Sequence, residues 1–427
     1  MKWLWKWTLR AGMTLLALAL VLYVFVLVRS MIPVPVHDAG LQLPRATIPA
    51  GANTFDVLTA AADQMWWPEE RQLDFKTNLL SATNWDEALA VEVLGKNQAA
   101  LTNWDAAVAL KDFQVPDFKM SDDLNYFQDW KKLSSLSVVR AKHLLNQDQS
   151  QAALETLLAH VRLGQKMGDA HGAIIHYLVS LSISSQALAA VRQSLTSTNF
   201  NPAQLKDCAA KLGLLADGES GAWSNTVKSE YQSMLQVLDD LRHGRITDSQ
   251  TGSPLMREHW FNPAINYSKT KALFADAAQM LVSDAARHYN EIKTPDLSHR
   301  PSILHLVFSG NFAGEVIYFM TLPAGAAVLD KKSRSDAQLQ ATRTLLALRA
   351  YQLTHAKLPD NLSALVPEFL DKVPVDDFDG QPLRYSPEKK LVYSVGKNLK
   401  DDGGDDRGQE EWNPAERHLD TAFHFEF

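Results

Sequence analysis

The chain has 427 residues, 46% hydrophobic and 21% charged, which is ordinary for a folded protein and excludes disorder as a description of the whole. Lys plus Arg number 42 against 49 Asp plus Glu, a net charge of -7, so no global positive field attracts phosphate backbones and nucleic acid is not an expected partner. The single cysteine, Cys208, can build neither an intramolecular disulfide nor a thiolate metal cluster.

Residues 1–10 carry Lys2, Lys6 and Arg10 interleaved with Trp3, Trp5 and Trp7. From Ala11 to Val28 there is no charge until Arg29. At 1.5 Å per residue such a helix reaches roughly 27 Å, enough to cross a hydrocarbon core, and the tryptophan rings suit the headgroup layer. The positive charges ahead of the apolar run predict a cytoplasmic N-terminus at 1–10 and a transmembrane signal anchor at 11–29. The main body is then periplasmic, held to the inner (cytoplasmic) membrane by a single pass. A cleaved signal peptide would share the charge order. Its apolar run is usually only ~7 to 15 residues, however, and the stretch from Arg29 to Gly40 has no small-x-small cleavage site.

Pro33, Pro35, Pro44 and Pro49 mark residues 30–52 as an extended linker. A helical domain is expected over 53–330. Apolar residues recur there at steps of three and four, as in Leu154, Leu157, Leu158 and Val161, and Gly168, Gly213, Gly218 and Gly244 fall where helices should end. The stretch Leu133 to Met167 faintly resembles tetratricopeptide or other α-solenoid helix pairs, without a fixed repeat period. Thr83-Asn84-Trp85-Asp86 and Thr102-Asn103-Trp104-Asp105 are near copies, expected to be two polar helix starts, each followed by a buried tryptophan. The apolar stretch Val316 to Val328 contains Pro323 and Gly325 and is too short to span, so it is expected to be core or interfacial.

At Ser335 the pattern changes. Ser335 with Gln338 forms a capping box, and Leu339, Leu346, Ala350 and Leu353 continue an amphipathic helix to the stop at Leu358-Pro359. A short helix after Asn361, a turn from Pro374 to Gly380, and a hairpin of Leu383 to Ser386 with Leu391 to Val395 follow. In order and spacing these pieces resemble the C-terminal domain of the major pseudopilin of type II secretion systems, over about residues 335–427. The matching residues are Leu358-Pro359, Pro374-Val375-Asp376-Asp377-Phe378-Asp379-Gly380, Pro382-Leu383-Arg384-Tyr385 and Tyr393-Ser394-Val395-Gly396. The acidic run Asp401-Asp402-Gly403-Gly404-Asp405-Asp406 completes them. The family's processed leader is absent from the first 29 residues. The anchor also lies far from the pseudopilin-like helix, so the resemblance implies a borrowed α+β module and not a fibre subunit.

In that family the acidic, glycine-bearing loop binds calcium, which implies Ca²⁺ ligands among Asp401, Asp402, Asp405 and Asp406. Calcium takes ~6 to 8 oxygen ligands with loose angular demands, and the same residues also suit a solvated turn. Asp376, Asp377 and Asp379 form a second acidic patch, expected to act as turn formers ahead of any paired-carboxylate chemistry. No zinc-protease, nucleophile-elbow, phosphate-loop or dinucleotide signature occurs. His171 and His176 are expected to be structural, Cys208 a packing residue, and Trp66, Trp67, Trp223 and Trp260 core.

The expected fold class is mainly α: a transmembrane helix, a multi-helix solenoid-like or bundle domain, and a small α+β pseudopilin-like C-terminal domain. The expected role is a non-enzymatic, membrane-anchored scaffold or partner-binding component of a secretion or envelope assembly. Its partners are the bilayer and envelope proteins. The alternatives are a membrane-tethered hydrolase of an envelope polymer, which requires a cleft with convergent acids or histidines, and a divergent minor pseudopilin.

Overall fold

The computed structural model describes residues 2–81, 85–116, 124–196, 200–217, 221–246, 265–292, 302–405 and 420–427. The described residues are mainly helical with one small sheet, and the chain divides into two compact units. One unit comprises Met1–Leu43, Val227–Asp284 and Lys293–Ala326; the other comprises Pro44–Thr226, Ala285–Ile292 and Ala327–Phe427.

The first unit begins with the helix Lys2–Met31. Its part Trp5–Met31 is long and apolar enough to cross a membrane, and none of its most apolar stretch is buried.

The end of this helix is elaborately fastened. The last carbonyls of a helix have no donors within it. Here side chains supply them: Asn266 Nδ2 donates to Ser30 O at 2.7 Å and Ile32 O at 2.9 Å, and Lys269 Nζ donates to Arg29 O at 2.8 Å. The opposite end of the Asn266 amide caps the helix Tyr267–Ser283, accepting from Lys269 N at 2.9 Å. Asn311 Oδ1 then accepts from Asn266 N and Thr270 Oγ1. Val34 N donates to Ser268 Oγ, and Asp38 accepts from Tyr231 at 2.8 Å and pairs with Lys271 at 3.0 Å. The bonds from Lys271 and Tyr231 hold the Asp38 carboxyl below the usual carboxylate range. The proline-rich segment thus carries a series of specific attachments along this unit.

Gly310 closes the joint. It has φ +66°, and a Cβ built there would lie 2.6 Å from Ser30 N and 2.7 Å from the Arg29 carbonyl carbon. Both the left-handed backbone and the close main-chain approach require glycine. Gly310→Ala is expected to destabilise the first unit by about 2 kcal/mol or more, because backbone must move. Urea unfolding in detergent would check it, with no change in midpoint counting against the joint.

In the second unit, helices Thr54–Asp63, Glu87–Lys96, Gln98–Ala109 and Tyr126–Asn146 enclose a core of Leu58, Phe75, Leu89, Trp104, Trp130 and Leu133. Asn53 and Asp86 cap the first two, accepting from Phe55 N and Leu89 N. Asp86 and Trp85 therefore behave as a helix start should, although Trp85 is only part-buried. The second Thr-Asn-Trp-Asp copy does not start a helix. It lies inside Gln98–Ala109, where Thr102 Oγ1 bonds back to Gln98 O and Trp104 is buried. The helix begins earlier because buried Asn97 is locked to the Trp66 main chain by two amide bonds.

Helices Ser150–Gly168, Ile174–Ser194 and Pro202–Asp217 build a second core with the C-terminal region. Leu157, Leu158, Leu188 and Leu212 share it with Leu345, Leu346, Phe369, Val392 and Phe423. Ile174–Ser194 also has the length and composition of a span, but more than half of its apolar stretch is buried in this packing. Gly213 lies within Pro202–Asp217 and ends nothing; it makes room for the Arg343 guanidinium.

The helix Phe312–His355 runs straight through Ser335, so the capping-box signal there marks no helix start. Good helix formers lie on both sides of Ser335 and carry the helix through it. The predicted end holds: the helix stops at His355, Ala356 takes φ +56°, and a short 3₁₀ helix follows at Leu362–Leu365. The hairpin forms as β1 (Arg384–Ser386) and β2 (Leu391–Ser394), with Tyr385 opposite Val392. An unexpected strand, β3 (Thr421–His424), pairs antiparallel with β2, setting Phe423 opposite Val392.

Candidate functional site

The second unit contains a cleft of about 470 Å³. Its walls come from distant parts of the chain. Gln165 and Tyr177 stand on the paired helices, Trp223 begins the next, His288 comes from the short segment Ala285–Ile292, and Lys332 and Asp336 lie one turn apart on the long helix. Asp377 is delivered by the Pro374 to Gly380 turn.

That turn separates its three carboxylates into different tasks. Asp376 is fully buried and accepts from Phe378 N at 3.1 Å, Ser394 Oγ at 2.8 Å, Val395 N at 2.9 Å and Arg384 Nη1 at 3.1 Å. Burial pushes its carboxyl up while the hydrogen bonds pull against it. Asp379 accepts from Gln381 N and pairs with Arg384, and its pKa is lowered, the bonds and charge of Arg384 outweighing burial. Gly380 follows at φ +73°. These two are turn and sheet braces, as expected.

Asp377 turns the other way, into the cleft. Its Oδ2 accepts from Ser333 Oγ at 2.6 Å and lies 3.4 Å from Lys332 Nζ, and its Oδ1 lies 3.4 Å from His288 Nδ1. The Asp377 main chain accepts from Tyr289 N, which positions the His288 segment beside it. Lys332 also pairs with Asp336 at 2.8 Å. Burial works to lower the Lys332 pKa, but two flanking carboxylates reverse it and keep the ammonium charged. Asp336 is pushed up by burial and by Asp377, against the pull of Lys332. Its side chain is still 45% accessible, so it is the carboxylate a visiting group can reach.

This arrangement can do some chemistry and not other chemistry. Ser333, Asp377 and His288 are not an acyl-transfer triad, because the carboxylate sits between the hydroxyl and the imidazole, leaving the serine without a histidine base. Lys332 pairs with both carboxylates and Arg287 also lines the cleft, beside the aromatic wall of Tyr177 and Trp223, whose rings lie 5.6 Å apart. Such a surface suits a polar group with an apolar neighbour. Lys332→Met should lower stability by about 2 kcal/mol, below the ~3 to 5 of a fully buried pair because water reaches the site. The double variant with Asp377→Asn should recover part of that loss; urea unfolding of the three proteins checks both statements.

Among the four expected calcium ligands, Asp401 Oδ1 accepts from Tyr393 OH at 3.1 Å and from Gly403 N at 2.9 Å. Asp402 pairs with Lys400 at 3.0 Å and accepts from Asn398. Asp405 is the last described residue of this run, and Asp406 lies outside the described residues. Asp420, not anticipated, is buried and accepts from Asp402 N and Gly404 N, so it organises the loop from the far side. Among the described residues no three His, Cys, Asp or Glu side chains gather as a metal-binding group.

His176 is buried and its Nε2 lies 2.8 Å from Tyr126 OH, while His171 is part-buried at φ +54°. Cys208 is buried in the second core, and burial pushes its thiol up to about 12. Trp66 is covered by Lys96, Trp67 packs on Phe75, and Trp260 lies outside the described residues. Lys332, Asp336 and His288 were not singled out from sequence; the Lys332 to Asp336 spacing on a helix was the available signal.

No family model matches the chain, and no curated protein or solved structure shows significant similarity to it.

Proposed function

We propose that this chain is a single-pass membrane protein whose helix Trp5–Met31 crosses the inner membrane, with a periplasmic body that binds a partner or ligand in an envelope or secretion assembly. The observation that carries this reading is the apolar helix, long enough to span and without a buried face. Lys2, Lys6 and Arg10 support a cytoplasmic N-terminus. Support for the pseudopilin-like module comes from the helix end at His355 followed by the 3₁₀ turn and hairpin. Alkaline phosphatase fused after Phe427 should be active, whereas a fluorescent protein that folds only in the cytoplasm should be dark. The reverse pattern removes the topology. Calcium belongs to this reading through the resemblance alone, and an unfolding temperature indifferent to added Ca²⁺ would delete it.

A second reading, a tethered hydrolase of an envelope polymer, is favoured by one feature: an accessible carboxyl, Asp336, in a cleft that also holds Asp377 and His288. Purified protein should then release soluble fragments from cell-wall polymer, and Asp336→Asn should abolish the release. Absence of release from the unaltered protein disposes of it.

A further inference from the structure

In the first unit, the short helix Ile303–Phe308 packs beside the anchor, with the rings of Phe308 and Phe25 6.0 Å apart and edge to face. Phe25 lies four residues before Arg29, which at 1.5 Å per residue is about 6 Å inside the charged end of the anchor. Ile303 is 77% exposed and Leu304 69%, with Phe308 also open. Gly310 then presses on the anchor's last turn, and the long helix starts at Phe312.

The first turns of that long helix have two distinct faces. Gly314 abuts Thr270 and Asn311, which fixes the packed side against Tyr267–Ser283. Phe312, Val316 and Met320 are spaced by four and form a stripe on the other side, about 200° around from Gly314. Phe312 is exposed and Met320 is 76% exposed. Isolated surface leucines are ordinary, but these exposed apolar residues cluster beside the anchor at the depth of Phe25, with a polar pair, His305 and Glu315 at 3.3 Å, at the cluster's edge.

We infer that residues 303–320 form a second membrane contact, a helix–turn–helix wedge whose apolar face (Ile303, Leu304, Phe308, Phe312 and Met320) is immersed in the same leaflet that receives the end of the anchor. The occupant of this face is lipid. The cluster touches the anchor through Phe308 and Phe25, and Lys269 beside it binds both Arg29 O and Ser309 O, so this cation, with the His305–Glu315 pair, falls at headgroup level. The wedge would stop the anchor from turning about its own axis and hold the first unit flat against the bilayer. This inference rests on the proposal that Trp5–Met31 spans the membrane.

The test uses full-length protein in phosphatidylethanolamine–phosphatidylglycerol vesicles, spin-labelled one at a time at Leu304→Cys, Met320→Cys, Leu16→Cys in the anchor, and Gln236→Cys on a water-exposed helix position. Cys208 is buried, so the unaltered chain reports the background. Relaxation by oxygen and by a nickel chelate is compared. The ratio of oxygen to nickel access at positions 304 and 320 is expected to resemble that at 16 and to exceed that at 236 several-fold. If 16 is lipid-like but 304 and 320 behave as 236 does, the wedge is refuted and the anchor stands. Nickel access at 16 refutes the anchor, and the wedge with it. Low access to both reagents at 304, with spin–spin broadening between molecules, would place a second copy on this face and overturn the assignment to lipid.

Discussion

Asp376→Ala is expected to lower the stability of the second unit by about 3 to 5 kcal/mol, the range for breaking a buried ion pair by removing one partner. The carboxylate is wholly enclosed and receives the Phe378 and Val395 amides, the Ser394 hydroxyl and the Arg384 guanidinium. Alanine leaves all four donors facing a void, and two of them are main-chain groups that cannot turn away. β2 ends at Ser394, so the damage should spread into the sheet and the Phe423 side of the core. Urea unfolding of the detergent-solubilised protein would measure it. Asp401→Ala, on an exposed loop, should shift the same curve by less than about 1 kcal/mol. Equal effects of the two variants would show that Asp376 is not the fastening described.

Acidification is expected to weaken the protein chiefly through histidines buried without charge. His160 is fully enclosed, with its Nε2 2.8 Å from Ser134 Oγ, and burial lowers its pKa to about 3; His176 is lowered to about 4 in the same way. An unfolded histidine titrates near 6.5. Below that pH the unfolded chain takes up a proton that the folded chain refuses, so stability is complete above pH 6.5 and declines as the pH falls toward the folded value. Each such histidine contributes a slope of about 1.4 kcal/mol per pH unit. Asp169 and Asp420, both raised to about 6 by burial, act in the opposite sense. Comparing the unaltered protein with His160→Gln cancels them, since both proteins carry them. Glutamine can keep a bond to Ser134 and cannot titrate. The stability difference between the two should therefore shrink by about 2 kcal/mol between pH 6.5 and 5. Parallel stability curves would mean that His160 is already charged, or solvated, in the folded state.

Local signals in the sequence carried far, and they failed at identifiable points. The N-terminal apolar helix, the helix stop at Leu358-Pro359, and the hairpin around Pro387 to Lys390 are written in runs of a few residues each. Such signals survive because nothing distant competes with them. Ser335 and Thr102 carried equally good cap signals, yet both lie inside helices, because continuous packing on either side outweighs one polar cap. The third strand could have been found: Phe423, Phe425 and Phe427 alternate with period two, and all are buried. Its pairing with β2 could not, since it depends on how the intervening loop returns the chain. The cleft was the least legible. Asp377 was assigned to turn formation with its neighbours, and only the meeting of three separate segments reveals that it faces Lys332 and His288 instead.

The double use of Asn266 has a mechanical consequence. One amide terminates the helix Lys2–Met31 and initiates the helix Tyr267–Ser283, so the two rods share a rivet and are not joined by a hinge. Bilayers of unequal thickness tilt a spanning rod to different degrees. On the proposed reading of Trp5–Met31 as a membrane span, that tilt would carry Tyr267–Ser283 with it.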